Sequence, residues 1–148
     1  MANLSKTKTL FAFTSPRTIE KIIPEIQVLV SSFAGKEWNT RNQIDFFKKL
    51  FESDFYEGTR MPQDIPLAAR DRITRAPKAL GFVDLKPKIK LTKVGALLLR
   101  GIRSHDVIAK QLFKFQFPSP YHKIPAGRNF NVRPYLELLR LTKELGNL

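Results

Sequence analysis

The chain contains no cysteine. Disulfides, thiol nucleophiles and Cys-ligated zinc are thereby excluded, and the composition suits a reducing cytoplasm. Histidine is nearly as scarce: His105 and His122 stand 17 residues apart, too sparse for a metal site built on imidazoles. No apolar run approaches the length of a membrane span, so no membrane partner is expected. The opening MANLSKTKTL lacks the apolar core of a signal peptide. Internal repeats and low-complexity segments are absent, and Ser15 has no evident base partner. The last scarcity is local: residues 66–133 hold 15 basic side chains and only three acidic ones.

That imbalance places +12 of the formal net charge of +13 between residues 66 and 133. A charge spread evenly would serve solubility; one concentrated on a single stretch points to a polyanionic partner. With 148 residues, 43% of them hydrophobic and 12 of them Phe, the chain has the means to bury a core. Its length fits one domain, or one domain with the start of another. We divide it into one main domain over residues 1–133 and a terminal helix over 134–148, where a further subdomain would begin.

Residues 66–99, PLAARDRITRAPKALGFVDLKPKIKLTKVGALLL, are the stretch on which the rest is organised. Leu67, Ala69, Ile73, Ala76 and Leu80 recur at helical spacing and are predicted to face a core. Arg70, Arg72, Arg75 and Lys78 are predicted to face outward. Gly81 stands where a helix end needs positive φ. Phe82–Leu85 and Ile89–Leu91 then read as two short strands around Lys86-Pro87-Lys88, with Thr92 as the cap of the next helix. Gly95 allows a close backbone approach in that helix's first turn. Helix, basic hairpin and helix together predict a winged helix, whose helix enters a major groove while the wing touches phosphate.

The remaining segments flank that unit. Residues 8–14 alternate well enough for a strand or an extended arm, and Ser15-Pro16 reads as a helix start. An apolar stripe of Ile19, Ile22, Ile23, Ile26 and Val30 follows, interrupted at Pro24, where the main helix is expected to begin. Thr40 and Gln43 fit a capping box for a helix to about Glu52, with Ile44, Phe47 and Leu50 or Phe51 inward. Ser104 is placed to cap a helix over His105–Phe115 that buries Val107, Ile108, Leu112 and Phe115. Lys110 and Lys114 share its outer face. In residues 116–134 aromatic and basic side chains interleave, which suits clamping of a nucleic-acid backbone. Phe117 and Tyr121 serve equally well there as plugs under a long loop. A final helix runs from Pro134 to Leu145 and stops at Gly146.

For catalysis the closest pattern is Asp64 followed by Asp84 and Lys86, a loose imitation of a metal-dependent nuclease. That chemistry needs two carboxylates on one metal beside the attacked phosphate, and no further Asp or Glu supports these two. The chain itself is therefore expected to be non-catalytic, with no cofactor of its own.

Several stretches resemble the AlwI family of restriction endonucleases. Thr14-Ser15-Pro16-Arg17, Glu20-Lys21-Ile22 and Pro24-Glu25-Ile26 resemble its SPR-x-PEKI-x-PEL opening, with Ile19 where the family often has Pro. Arg70-Asp71-Arg72, Pro77 and Gly81-Phe82-Val83 look like its RDR…GFV region, and Ile89–Gly95 like its I/L-x-x-T-x-x-G segment. Lys110-Gln111-Leu112, Lys114, Gln116-Phe117-Pro118-Ser119 and His122-Lys123 look like KQL-x-K-x-QYPS-x-x-HK. The resemblance covers nearly the whole chain. It implies the DNA-recognition part of a type IIS or nicking endonuclease, bacterial and cytoplasmic. The Mg²⁺-dependent nuclease of such an enzyme would lie outside the present chain.

The expectation is thus an α+β, helix-rich fold with a winged-helix unit and an N-terminal strand and helix extension. It binds double-stranded DNA sequence-specifically, as a monomer. Base readers are sought among Arg70, Arg72, Thr74, Arg75 and Lys78. Phosphate contacts are sought at Lys86, Lys88, Lys90, Lys110 and Lys114. Arg17, Gln116, Tyr121, His122, Lys123, Arg128 and Asn129 are expected to add loop contacts. The alternatives from other classes are a self-contained nuclease using Asp64, Asp84 and Lys86, and a small winged-helix transcription regulator or RNA-binding module. A regulator would usually dimerise, and no heptad seam is evident.

Overall fold

Pro24 does not delay the first helix. A single 3-10 turn at Ile19–Lys21 leads into α1 (Ile22–Phe33), which places Pro24 third in the helix. First-turn N–H groups have no partner inside a helix, so a residue without one costs nothing there. The structure is a computed structural model and describes residues 19–116 and 132–146. The arm at 8–14, the helix start at Ser15-Pro16 and the aromatic–basic loop beyond Gln116 lie outside the described residues.

Six α-helices and one two-stranded antiparallel sheet make up the described residues, a helix-rich α+β arrangement. The buried stripe of α1 is Ile22, Ile26, Leu29 and Phe33, with Glu25 among them. α2 (Thr40–Phe51) begins one residue earlier than the capping-box reading requires. Asn39 is the cap, its side chain accepting from the Asn42 N–H at 3.0 Å. Gln43 instead donates to the Trp38 carbonyl at 3.0 Å, and is buried. Phe46, Phe47 and Leu50 face inward, and Ile44 is half-buried. Phe46 meets Phe33 and Trp38 edge to face, with centroids 6.2 and 5.6 Å apart.

α3 (Ile65–Ile73) is capped by Asp64, which accepts from the Leu67 N–H at 2.8 Å. It runs into a wide π-helical turn at Thr74–Lys78. Pro77 explains the widening: it has no N–H for the carbonyl four residues back, and its ring would crowd that carbonyl in a regular turn. Ala69, Ile73, Ala76 and Leu80 are buried as expected, while Leu67 is exposed. At about 100° per residue, Leu67 lies on the far side of the helix from Ala69.

Gly81 (φ 76°) turns the chain into β1 (Val83–Asp84), which pairs with β2 (Lys90–Leu91), Val83 opposite Leu91. Leu85 and Ile89 are buried below the tip. The second arm is also tied to the turn after α1: Ile89 N–H donates to the Lys36 carbonyl and Gly35 N–H to the Ile89 carbonyl, both at 2.8 Å. Thr92 caps α4 (Lys93–Leu99), accepting from the Gly95 N–H at 3.0 Å. A Cβ on Gly95 would collide with the Phe82 carbonyl oxygen, so the close approach is real and requires glycine.

α5 (Ser104–Lys114) starts on Ser104 itself, without a side-chain cap. Arg103, at φ 54°, supplies the turn between α4 and α5 instead. Val107, Ile108 and Phe115 are buried, and Leu112 is half-buried. α6 (Pro134–Glu144) follows, with Gly146 at φ 72° beyond its end; none of its residues is buried. The core is thus formed by α1, α2, α3, the π turn and the hairpin, with contributions from Leu98 of α4 and one face of α5.

Candidate functional site

Rotation round α3 decides what each of its cations can reach. Arg70 and Arg72 are two residues apart, about 200° round the helix, so they flank the buried stripe on opposite sides. Arg72 meets α1. Its Nη1 donates to Glu25 Oε1 at 2.6 Å, and its guanidinium carbon lies 5.2 Å from the centroid of the Tyr56 ring. Glu25 is 1% exposed, and its Oε2 has no hydrogen-bond partner among the described residues. Burial raises the carboxyl's pKa, an effect that the adjacent Arg72, and more weakly Lys21, oppose. Lys21 in turn pairs with Glu57 at 2.6 Å. The expectation that Arg72 faces outward is therefore corrected: it is committed to a buried acid on another helix. Arg75 is exposed and bridges to Asp71 at 2.9 Å, one turn back on the same helix.

Arg70 faces the other way. It is exposed and forms no ion pair among the described residues. It lines a cleft of about 600 Å³ together with Thr74 and Lys78, one turn and two turns further on. The opposite wall is the hairpin, through Leu85, Lys86 and Pro87. The end is closed by Glu37, Trp38 and Asn39 from the connection between α1 and α2. Thr74 is held by its hydroxyl, which donates to the Arg70 carbonyl. The cleft thus gathers three cations and a hydroxyl, with one acid, Glu37, at its end.

Of the other expected contacts, Lys88 is exposed at the hairpin tip outside the cleft lining, and Lys90 is held by Asp84 at 3.3 Å. Lys110 and Lys114 line a separate cleft between α4 and α5, and Gln116 is exposed beyond the end of α5. Arg17, Tyr121, His122, Lys123, Arg128 and Asn129 lie outside the described residues. Asp64 and Asp84 are engaged as helix cap and Lys90 partner respectively. No group of three His, Cys, Asp or Glu side chains among the described residues is placed to share a metal ion. No helix of the described residues is long and apolar enough to cross a membrane.

Two features escaped the sequence reading. Glu25 follows Ile22 at core spacing, and an acid on an apolar stripe is a signal for a buried partner. Trp38 and Asn39 carry a weaker signal, Asn being a strong cap immediately before a helical pattern. No protein-family model and no curated protein matches the chain.

Proposed function

We propose that this chain binds double-stranded DNA and that the cleft between α3 and the hairpin is its contact face. One observation carries the reading: Arg70, Thr74 and Lys78 of α3 and its π turn lie across a single cleft from Lys86 at the hairpin tip. Helix, basic hairpin and capped helix in that order fit a winged helix. In that arrangement Arg70 is the candidate for guanine O6 and N7, because a guanidinium can bond both at once. Lys86 and Lys88 serve phosphate as point charges, and so add affinity without reading sequence. The concentration of +12 over residues 66–133 supports a polyanionic partner. The resemblance to the AlwI family favours DNA over other polyanions. On that reading the chain is the target-recognition part of a type IIS or nicking endonuclease, and Mg²⁺ belongs to a nuclease domain outside it.

Selection of bound sites from a pool of random duplexes tests the proposal. The expected result is an enriched site bound by the chain, left intact with Mg²⁺, whose advantage over random duplex shrinks in Arg70→Ala. Absence of any enriched site, or Mg²⁺-dependent cleavage lost in Asp84→Ala, overturns it.

A further inference from the structure

A second cleft, of about 420 Å³, lies between α4 and α5 and differs in kind from the first. Two large aliphatic side chains are exposed on it, Leu97 at 46% and Ile102 at 71%. Around them stand Arg100, Lys110 and Lys114, all exposed and none forming an ion pair among the described residues. The remaining rim cation, Arg103, is paired with the only acid there, Asp106, at 2.9 Å.

We propose that this cleft docks an acidic amphipathic helix of a partner protein. Each half of the surface selects one half of that occupant. The aliphatic floor gains by being covered with apolar side chains, which the sugar–phosphate edge of a duplex supplies poorly. The unpaired cations favour carboxylates at the margins of the same segment. Lys110 and Lys114 are one helical turn apart, a spacing that acids at i and i+4 on a facing helix match. A groove between two helices accepts a third laid along it, with anchors recurring at three and four residues. The proposal stands independently of duplex binding, since the two clefts share no lining residue.

Random peptides of about four helical turns, displayed on phage, provide the test. They are selected on the parent chain and counter-selected on an Ile102→Asp/Lys110→Glu double variant. Survivors are expected to carry Asp or Glu beside aliphatic residues spaced three and four apart. A surviving peptide should bind Leu97→Asp and Lys110→Glu/Lys114→Glu about tenfold more weakly or worse, a loss of about 1.4 kcal/mol. Thermal melts establish that each variant is folded, and Ile102→Ser repeats the measurement with no charge placed on the floor. Failure to enrich any peptide, survivors without acidic residues, or unchanged binding to Leu97→Asp and Ile102→Ser overturns the proposal. So does a short duplex that displaces the peptide and itself loses affinity in Leu97→Asp, which would assign the cleft to nucleic acid.

Discussion

Arg70 and Arg72 share a helix and a residue type and stand on either side of Asp71, yet they have opposite surroundings. Arg72 is folded against Glu25 and the Tyr56 ring, and Arg70 is exposed on a cleft with no acid paired to it among the described residues. The difference needs both helices: α3 sets the two side chains about 200° apart, and α1 supplies the acid on one side only. An acid buried on the facing helix captures whichever guanidinium the helical rotation brings to it. Net charge is therefore a poor count of available cations: Arg72 and Arg75 are held by Glu25 and Asp71.

The comparison breaks most visibly at Arg72. Arg72→Ala leaves the Glu25 carboxylate buried without its partner, and about 3–5 kcal/mol of stability should be lost, read by urea denaturation. A loss below about 0.5 kcal/mol would mean that the pair is ornamental. Arg70→Ala should do the reverse. Its stability should stay within about 0.5 kcal/mol of the parent. Discrimination between selected and random duplex should fall by about 1–3 kcal/mol, measured on both duplexes at one salt concentration.

The helix–hairpin–helix order of residues 66–99 was legible because its signals are local. Gly81, Thr92 and Gly95 each act on backbone within about a dozen residues. The rotational assignment of Arg72 was not, since its partner lies 47 residues away and no local pattern reports which side of α3 meets α1. The cap of α2 failed for a smaller reason: Asn39 and Thr40 are adjacent, both can cap, and Gln43 fits a box only if Thr40 is chosen. The structure uses Asn39, and the Gln43 side chain is spent on the Trp38 carbonyl instead of reaching back to Thr40. Of the candidate site, the helix and hairpin contributions were legible, but the third wall at Glu37–Asn39 comes from a connection that carries no charge pattern of its own.

Two weaker perturbations sharpen the contrast. Lys86→Ala and Lys88→Ala should weaken selected and random duplexes alike and lower the salt slope of binding by about one unit each. Unchanged slopes would remove the hairpin from the interface. The smallest effect concerns pH. Glu25 has its pKa raised from an ordinary 4.5, so the folded state holds its proton more tightly than the unfolded state. By linkage, its contribution falls as pH rises from 4.5 through the folded value, and the parent should lose stability relative to Glu25→Gln across that window. Parallel stability–pH curves for the two proteins would show that the carboxyl titrates normally.

The paired amides of Gly35 and Ile89 have a mechanical consequence. A hairpin attached only at its base would flap, and a cleft with such a wall would breathe on the timescale of loop motion. Here the second arm is stitched to the segment that leads into the cleft's end wall, through two bonds of 2.8 Å. Opening the hairpin away from the end wall consequently requires both bonds to break. In hydrogen–deuterium exchange these two amides should behave as one cooperative unit, slowing far beyond the Lys88 amide at the tip.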